Sequence, residues 1–349
     1  MTAPAHLGLS TYGVGWAVGV PGYDQPPQPL DACGVLRFAH ELGLRLVQIA
    51  DNVPLDTLSI DQRAAIRAEA ERLGILIEVG TRGIATDHLR QYLEIARFFG
   101  SPILRVVVDT KDHHPSPDEV TALIRAVLPE LEAARITLAI ENHDRFKVAA
   151  LAGIIEKLAS PYVGICLDTV NSFGSLEGPD VVVSTLAPYV VNLHVKEFVV
   201  KRAGHAMGFE ITGRPAGKGM LDMPWLLDKL SACPHPYNAV IETWLPMQIT
   251  IEETVAVEAR CRADCQSPSG TARPMAALNS TASRMGPCSW LLRMRRVIRA
   301  LSAASPPFNS ASSARRRPSS GASSAKVRTC PSRSSLTRLG PLRLSSSSP

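Results

Sequence analysis

At 349 residues, 45% of them hydrophobic and 20% charged, the chain has room for one large α/β domain or two smaller ones. No uninterrupted run of 18 apolar residues occurs, so the sequence offers no membrane span, and no basic segment followed by an apolar core marks a signal peptide. The formal charge of +5 averages two unlike parts: from Arg260 onward lie sixteen of the 37 Lys and Arg but one of the 32 acids, leaving 21 bases against 31 acids, a net −10, in residues 1–259.

An acidic body argues against a nucleic-acid partner. Of the seven cysteines only Cys33, Cys166 and Cys233 lie in that body, and they read as reduced thiols of a cytoplasmic protein rather than a disulfide framework.

In chain order, short apolar segments alternate with amphipathic ones. Residues 7–10 read as a first strand, followed by a glycine-rich loop with Tyr12, Trp16, Tyr23 and Asp24. A helix runs from Asp31, a natural N-cap, to Leu42 and stops at Gly43. Strand two (46–50) ends in Asp51-Asn52, and helix 60–73 closes at Gly74. Strand three (75–79) exits into Gly80-Thr-Arg-Gly83, helix 86–99 closes at Gly100, and strand four (103–108) ends in Asp109. Ser116 and Pro117 open the next helix with a cap and a proline at its first position. Then come strand five (136–141), helix 147–158, strand six (163–167), helix 181–186 and strand seven (190–195). A long loop, 197–219, precedes helix 222–230, strand eight (239–241) and a last helix from Ile251. Eight strands and eight helices in strict alternation predict an α/β fold, a (β/α)8 TIM barrel over residues 1–259. A doubly wound sheet would bring a phosphate loop after strand one, and Gly13-Val-Gly-Trp-Ala-Val-Gly19 has the wrong spacing for it.

Residues 260–349 lose this order. Serine, arginine, proline and alanine dominate, which predicts a disordered tail. The last helical pattern breaks off at Val257-Glu-Ala-Arg260, the mark of a shifted reading frame or non-native fusion; a nucleic-acid-binding tail is the alternative. Cys261-x3-Cys265 has no second pair to complete a zinc site.

Four late strands discharge a polar group as they leave the apolar core: Glu141, Asp168, His194 and Glu242. Strand alternation puts Glu141 with Ala139 and Thr137, Asp168 with Cys166 and Gly164, His194 with Asn192 and Lys196, and Glu242 with Val240. The polar sets face the barrel axis, and Val191, Leu193 and Val195 face the helices. All four groups then converge at the C-terminal rim, where barrel enzymes keep their sites. Three carboxylates together would repel one another unless a cation sat among them. Three oxygen donors and one imidazole suit Mn²⁺ or Mg²⁺, with Co²⁺ or Zn²⁺ able to occupy the same set.

At these blocks the chain resembles the xylose-isomerase-like sugar phosphate isomerase/epimerase superfamily: Ile140-Glu-Asn-His143, Cys166-Leu-Asp-Thr169, Asn192-Leu-His-Val-Lys196, Gly213-Arg-Pro-Ala-Gly-Lys-Gly219 and Ile241-Glu242. The resemblance spans residues 7 to about 258 and implies that Glu141, Asp168, His194 and Glu242 are the metal ligands. It further implies an isomerase or epimerase acting on a keto sugar through a metal-stabilised enediolate, with Glu141 and Glu242 as its acid/base pair. Where the epimerases carry a histidine three residues after the strand-six aspartate, this chain has Asn171, which cannot carry a proton. Lys196 supplies a cation instead, as electrophile or as clamp for a carboxylate or phosphate. These departures raise the alternative of a lyase, decarboxylating or dehydrating an oxidised sugar or keto acid.

Further candidates for substrate contact are His143, Arg82, Arg214 and Trp16, with Arg145, Lys218 and Trp244 weaker. Arg214 and Lys218 lie on the long loop, whose glycines predict a lid. Glu78 and Arg105, interior on neighbouring strands, predict a buried ion pair. The expected partner is thus a small sugar or sugar acid, with no nucleic acid and no membrane. A homo-oligomer remains open. An abasic-site endonuclease and a non-catalytic sugar-binding barrel are the readings from other classes.

Overall fold

In the computed structural model, which describes residues 4–205, 207–245 and 251–256, eight short strands lie parallel and close on themselves. They are Leu7–Ser10 (β1), Leu46–Ile49 (β2), Leu76–Arg82 (β3), Ile103–Val107 (β4), Thr137–Glu141 (β5), Val163–Asp168 (β6), Val190–Val195 (β7) and Asn238–Ile241 (β10). Two more strands, Glu197–Arg202 (β8) and Phe209–Arg214 (β9), stand outside the ring. Each barrel strand pairs with its successor, and β10 seals the gap between β7 and β1. The expected (β/α)8 barrel is the observed one.

The helices are Gly15–Val18 (α1), Ala32–Glu41 (α2), Ile60–Leu73 (α3), Thr86–Phe99 (α4), Pro117–Ala134 (α5), Val148–Leu158 (α6), Pro179–Leu186 (α7) and Met223–Leu230 (α8), and residues 251–256 are again helical. Their limits follow local chemistry. Asp31 accepts the Gly34 amide at 2.7 Å, and Ser59 and Gln62 form a reciprocal capping box, a device that contributes about 1 kcal/mol per cap. Gly74 and Gly100 end α3 and α4 in the left-handed region at φ 64° and 66°.

Strand alternation divides the core. Val47, Val79, Leu104, Val106, Leu138, Ile140, Ile165 and Leu167, fully buried, belong to the same apolar cluster as Leu36, Leu93, Ile124 and Leu151 of the helices. The alternate residues point to the barrel axis, where Ile103, Ala139 and Cys166 form a small apolar floor. Above it the interior is polar: Gln48, Glu78, Arg105, Glu141, Asp168, Asn192 and His194 are all 2% exposed or less.

Three local expectations are corrected. Strand three runs on to Arg82, because Gly80 and Thr81 pair in register with Arg105 and Val106 of β4. The long loop after β7 is a two-stranded antiparallel ribbon, β8 with β9, from Glu197 opposite Arg214 to Arg202 opposite Phe209. Val191 does not face the helices: β7 bulges against β6 between Val190 and Asn192, and Val191 packs on the interior floor. Gly164 makes room for it, since a Cβ there would lie 2.6 Å from a Val191 methyl. Residues 257–349, and with them the expected tail and the break at Arg260, lie outside the described residues.

Candidate active site

The four strand-end groups meet. His194 Nδ1 lies 3.3 Å from Glu141 Oε2, 3.4 Å from Glu242 Oε1 and 3.8 Å from Asp168 Oδ2, with all four side chains essentially inaccessible to solvent. His194 Nδ1 and Glu242 Oε1 are buried without a hydrogen-bond partner, and Asp168 Oδ2 meets the Lys196 ammonium at 2.8 Å. Their ligand atoms lie within 4.8 Å of one another. Buried polar atoms are normally satisfied, so two left open beside a third carboxylate need an external partner. Ligands held at about 2.1 Å by one octahedral ion sit about 3.0–4.2 Å apart, and the observed spacings around His194 fall in that window. The donor set therefore fits a divalent cation.

The surroundings hold these groups in place. Asn142, the residue after Glu141, clamps the Asp168 backbone from both sides: its Nδ2 donates to the Asp168 carbonyl at 2.9 Å and its Oδ1 accepts the Asp168 amide at 2.7 Å. Asp168 Oδ1 accepts the Val170 and Asn171 amides, each at 2.8 Å, which turns Oδ2 to the axis. Lys196 Nζ ion-pairs with Asp168 Oδ2 at 2.8 Å and Glu242 Oε2 at 2.9 Å and donates to Asn171 Oδ1 at 3.2 Å. Burial works against its charge, but Asp168, Glu242 and Glu141 overcome that and hold the ammonium protonated well above the usual lysine range. Burial would likewise raise Glu141 and Glu242; Arg105, then His194 and Lys196, bring Glu141 below the usual carboxylate range, while His194, Lys196 and Arg105 do so for Glu242.

The other half of the rim carries an arginine network. Arg105, fully buried on β4, donates Nε to Glu141 Oε2 and lies with Nη1 2.9 Å from Asp51 Oδ1. Arg82, at the end of β3, donates to Asp51 Oδ2 at 3.0 Å and to the Asp109 carbonyl at 3.2 Å. Tyr12 donates its hydroxyl to Asp51 Oδ2 at 3.1 Å, and burial followed by the Asp51 charge pushes its pKa up to about 12. Asp51 thus binds two arginines and a tyrosine, and none of its partners was paired with it from the sequence.

Glu78 and Arg105 are not partners, which corrects the expected ion pair. Arg105 stands in register with Gly80, two residues nearer the rim than Glu78. Glu78 instead sits beneath the site among amides: Gln48 Nε2 at 3.0 Å, Asn192 Nδ2 at 2.9 Å and Asn238 Nδ2 at 2.7 Å all donate to it. Burial holds its carboxyl above the usual range, against the smaller opposing pull of those three donors.

Of the other candidates, Asn171 joins the site: its Nδ2 donates to Glu141 Oε1 at 2.7 Å while its Oδ1 receives Lys196. Arg82 is linked to it through Asp51. Trp16 donates its indole N–H to the Leu245 carbonyl at 2.9 Å and meets the Tyr23 ring edge-on. His143, partly exposed, faces Asp144 at 3.2 Å. Arg214 donates to the Gly213 carbonyl at 3.3 Å, and Arg145 forks onto Asp109 at 2.6 and 2.8 Å. None of these four bonds to the converging groups.

A closed parallel barrel gathers at its C-terminal rim three carboxylates, an imidazole and a lysine, a set with the donors to hold a metal ion. The chain belongs to the xylose isomerase-like TIM barrel family, whose model matches residues 36–260. It is 36% identical over 252 residues to a 3-oxo-isoapionate decarboxylase of Pectobacterium atrosepticum, covering 72% of this chain and 90% of that protein. In fold it is similar to a xylose isomerase-like TIM barrel protein of Mycobacterium smegmatis in complex with magnesium (TM-score 0.57, 13% identity, 74% of this chain and 95% of the other). It is also similar to the D-psicose 3-epimerase of Clostridium cellulolyticum with D-tagatose (TM-score 0.54, 15% identity, 74% and 96%). The two solved structures share its fold. No helix among the described residues is long and apolar enough to cross a membrane.

Proposed function

We propose that the protein is a divalent-metal-dependent decarboxylase of a 3-oxo sugar acid, the lyase rather than the epimerase of the two reactions expected from the sequence. The observation that carries this reading is Asn171. Its amide bridges Glu141 and Lys196, at 2.7 and 3.2 Å, in the place where a proton-carrying histidine would stand. Epimerisation needs a base that takes a proton from carbon and an acid that returns one on the other face. Here Glu141 has one oxygen held by Asn171 and the other by Arg105, so neither is free to take a proton from carbon. Decarboxylation needs no base.

Glu141, Asp168, His194 and Glu242 would hold Mg²⁺ or Mn²⁺, which when bound supplies positive charge for the oxygen that gains electron density. In the reaction the bond to the carboxylate carbon breaks, its electron pair moves toward the 3-oxo group, carbon dioxide leaves, and the carbon takes one proton from water. Lys196, whose charge Asp168 and Glu242 favour, stabilises the negative charge developing on the substrate oxygens. Charge supports an anionic substrate: Asp51, Glu141, Asp168 and Glu242 against Arg82, Arg105 and Lys196 sum to −1, and a divalent ion turns this to +1, which one carboxylate neutralises. The identity to the decarboxylase of Pectobacterium atrosepticum supports the same class.

Turnover in D₂O tests the assignment. A decarboxylase places one deuteron in the product and leaves recovered substrate unlabelled. Deuterium entering recovered keto sugar next to its carbonyl would instead identify an isomerase or epimerase.

A further inference from the structure

We infer that Glu78, which touches neither rim nor solvent, is a positioning residue that fixes the tautomer of His194 through Gln48 and so keeps Nδ1 open to a cation. The inference rests on His194 being a metal ligand and is independent of which reaction follows. His194 Nε2 lies 2.7 Å from Gln48 Oε1, an acceptor, so Nε2 carries the proton and Nδ1 the lone pair. Everything then depends on which way the Gln48 amide points.

Its direction is set from below. Gln48 Nε2 donates to Glu78 Oε2 at 3.0 Å and to Asn192 Oδ1 at 3.2 Å. Turning the amide over would set its oxygen against both of those acceptors and its NH₂ against His194. Two buried hydrogen bonds would become acceptor–acceptor contacts, in a place where no water reaches them. Asn192 cannot turn to relieve this, because its own Nδ2 donates to the same Glu78 oxygen at 2.9 Å, and Asn238 Nδ2 holds the other oxygen at 2.7 Å. Glu78 is the terminal acceptor of the whole array. A chain of one-way hydrogen bonds therefore runs from His194 through Gln48 to Glu78. It replaces the single carboxylate or carbonyl that usually orients a metal-bound histidine.

Two variants test it: Glu78→Gln, which gives the array a second donor at its terminus, and Gln48→Met, which removes the link while leaving Glu78 with Asn192 and Asn238. The ¹⁵N chemical shifts of the His194 ring, read in the metal-free full-length protein, report the tautomer. Calorimetric titration with Mn²⁺ alone reports the affinity, and the metal-free melting temperature reports the fold. The expected result is that His194 populates the Nδ1–H form in both variants and that Mn²⁺ affinity falls about 10- to 100-fold. A packing role for Glu78 would lower the melting temperature and leave the ring shifts of His194 unchanged. Unchanged shifts and affinity in Glu78→Gln, whatever Gln48→Met does, overturn this inference alone. No Mn²⁺ binding by the parent protein overturns the ligand assignment and this inference with it.

Discussion

On the β1–β4 side of the rim each charged side chain meets an opposite one: Asp51 takes Arg82 and Arg105, and Tyr12 completes it. On the β5–β10 side three carboxylates face one imidazole and one lysine, and His194 Nδ1 and Glu242 Oε1 are left without hydrogen bonds. The first half is a finished ion network and the second is an unfinished one. Buried charges persist only when paired, so the difference locates the place where a missing charge enters. Glu141 belongs to both halves, held by Arg105 and facing His194 at 3.3 Å.

The widest separation between the halves is expected from His194→Ala. Loss of the ion and its several kcal/mol of charge stabilisation lowers turnover by about 10⁴-fold, whereas an arginine-side change that spares Glu141 does not abolish metal binding. Steady-state rates with metal titrations on both variants check this. Next comes Lys196→Gln, expected to lower kcat by about 10²–10³-fold, the loss typical of one charge-stabilising donor, while Mn²⁺ affinity holds or rises because a competing cation has left Asp168 and Glu242. A parallel loss of metal affinity would show that Lys196 belongs to the ligand array instead.

Arg105→Met takes the arginine from the buried Glu141, while Asp51 keeps Arg82 and Tyr12. Chemical denaturation of the metal-free protein should show about 3–5 kcal/mol of lost stability, much of it regained on adding Mn²⁺, which re-pairs Glu141. A smaller effect concerns acid. Burial raises the Asp51 carboxyl, yet Arg105 and Arg82 overcome that and leave it below the usual range. Its pairing then adds stability that is complete above the unfolded-state pKa of about 3.9 and is lost as pH falls through the lower folded value. Asp51→Asn should therefore flatten the stability profile below about pH 4, read by denaturant midpoints across pH.

The barrel and its four converging groups were legible because both rest on local rules: period-two alternation, capping residues, and a polar side chain at each strand exit. Partnership was less legible. Alternation assigns Glu78 and Arg105 to the same interior, but only the stagger that sets Arg105 beside Gly80 shows that Arg105 reaches up to Glu141 and Glu78 down to amides. The roles of Gln48, Asn238 and Asn142 are not legible because neutral amides, two in apolar strands and one just past the end of β5, carry no charge pattern to find. The β8–β9 ribbon shows no clean alternation for a related reason: Val199 and Val200 are both half-buried, and Lys201 and Phe209 are exposed. Trp16 looked like a sugar-stacking group by position, yet its indole is spent on the Leu245 carbonyl and Tyr23.

The central claim is that this rim releases carbon dioxide from a 3-oxo sugar acid. A substrate labelled with ¹³C at its carboxyl, incubated with Mn²⁺-loaded protein, tests it most directly. The account predicts ¹³CO₂ in step with loss of the acid, abolished by chelation and restored by added Mn²⁺. Full retention of the label in a stereoisomer of the starting acid would contradict it.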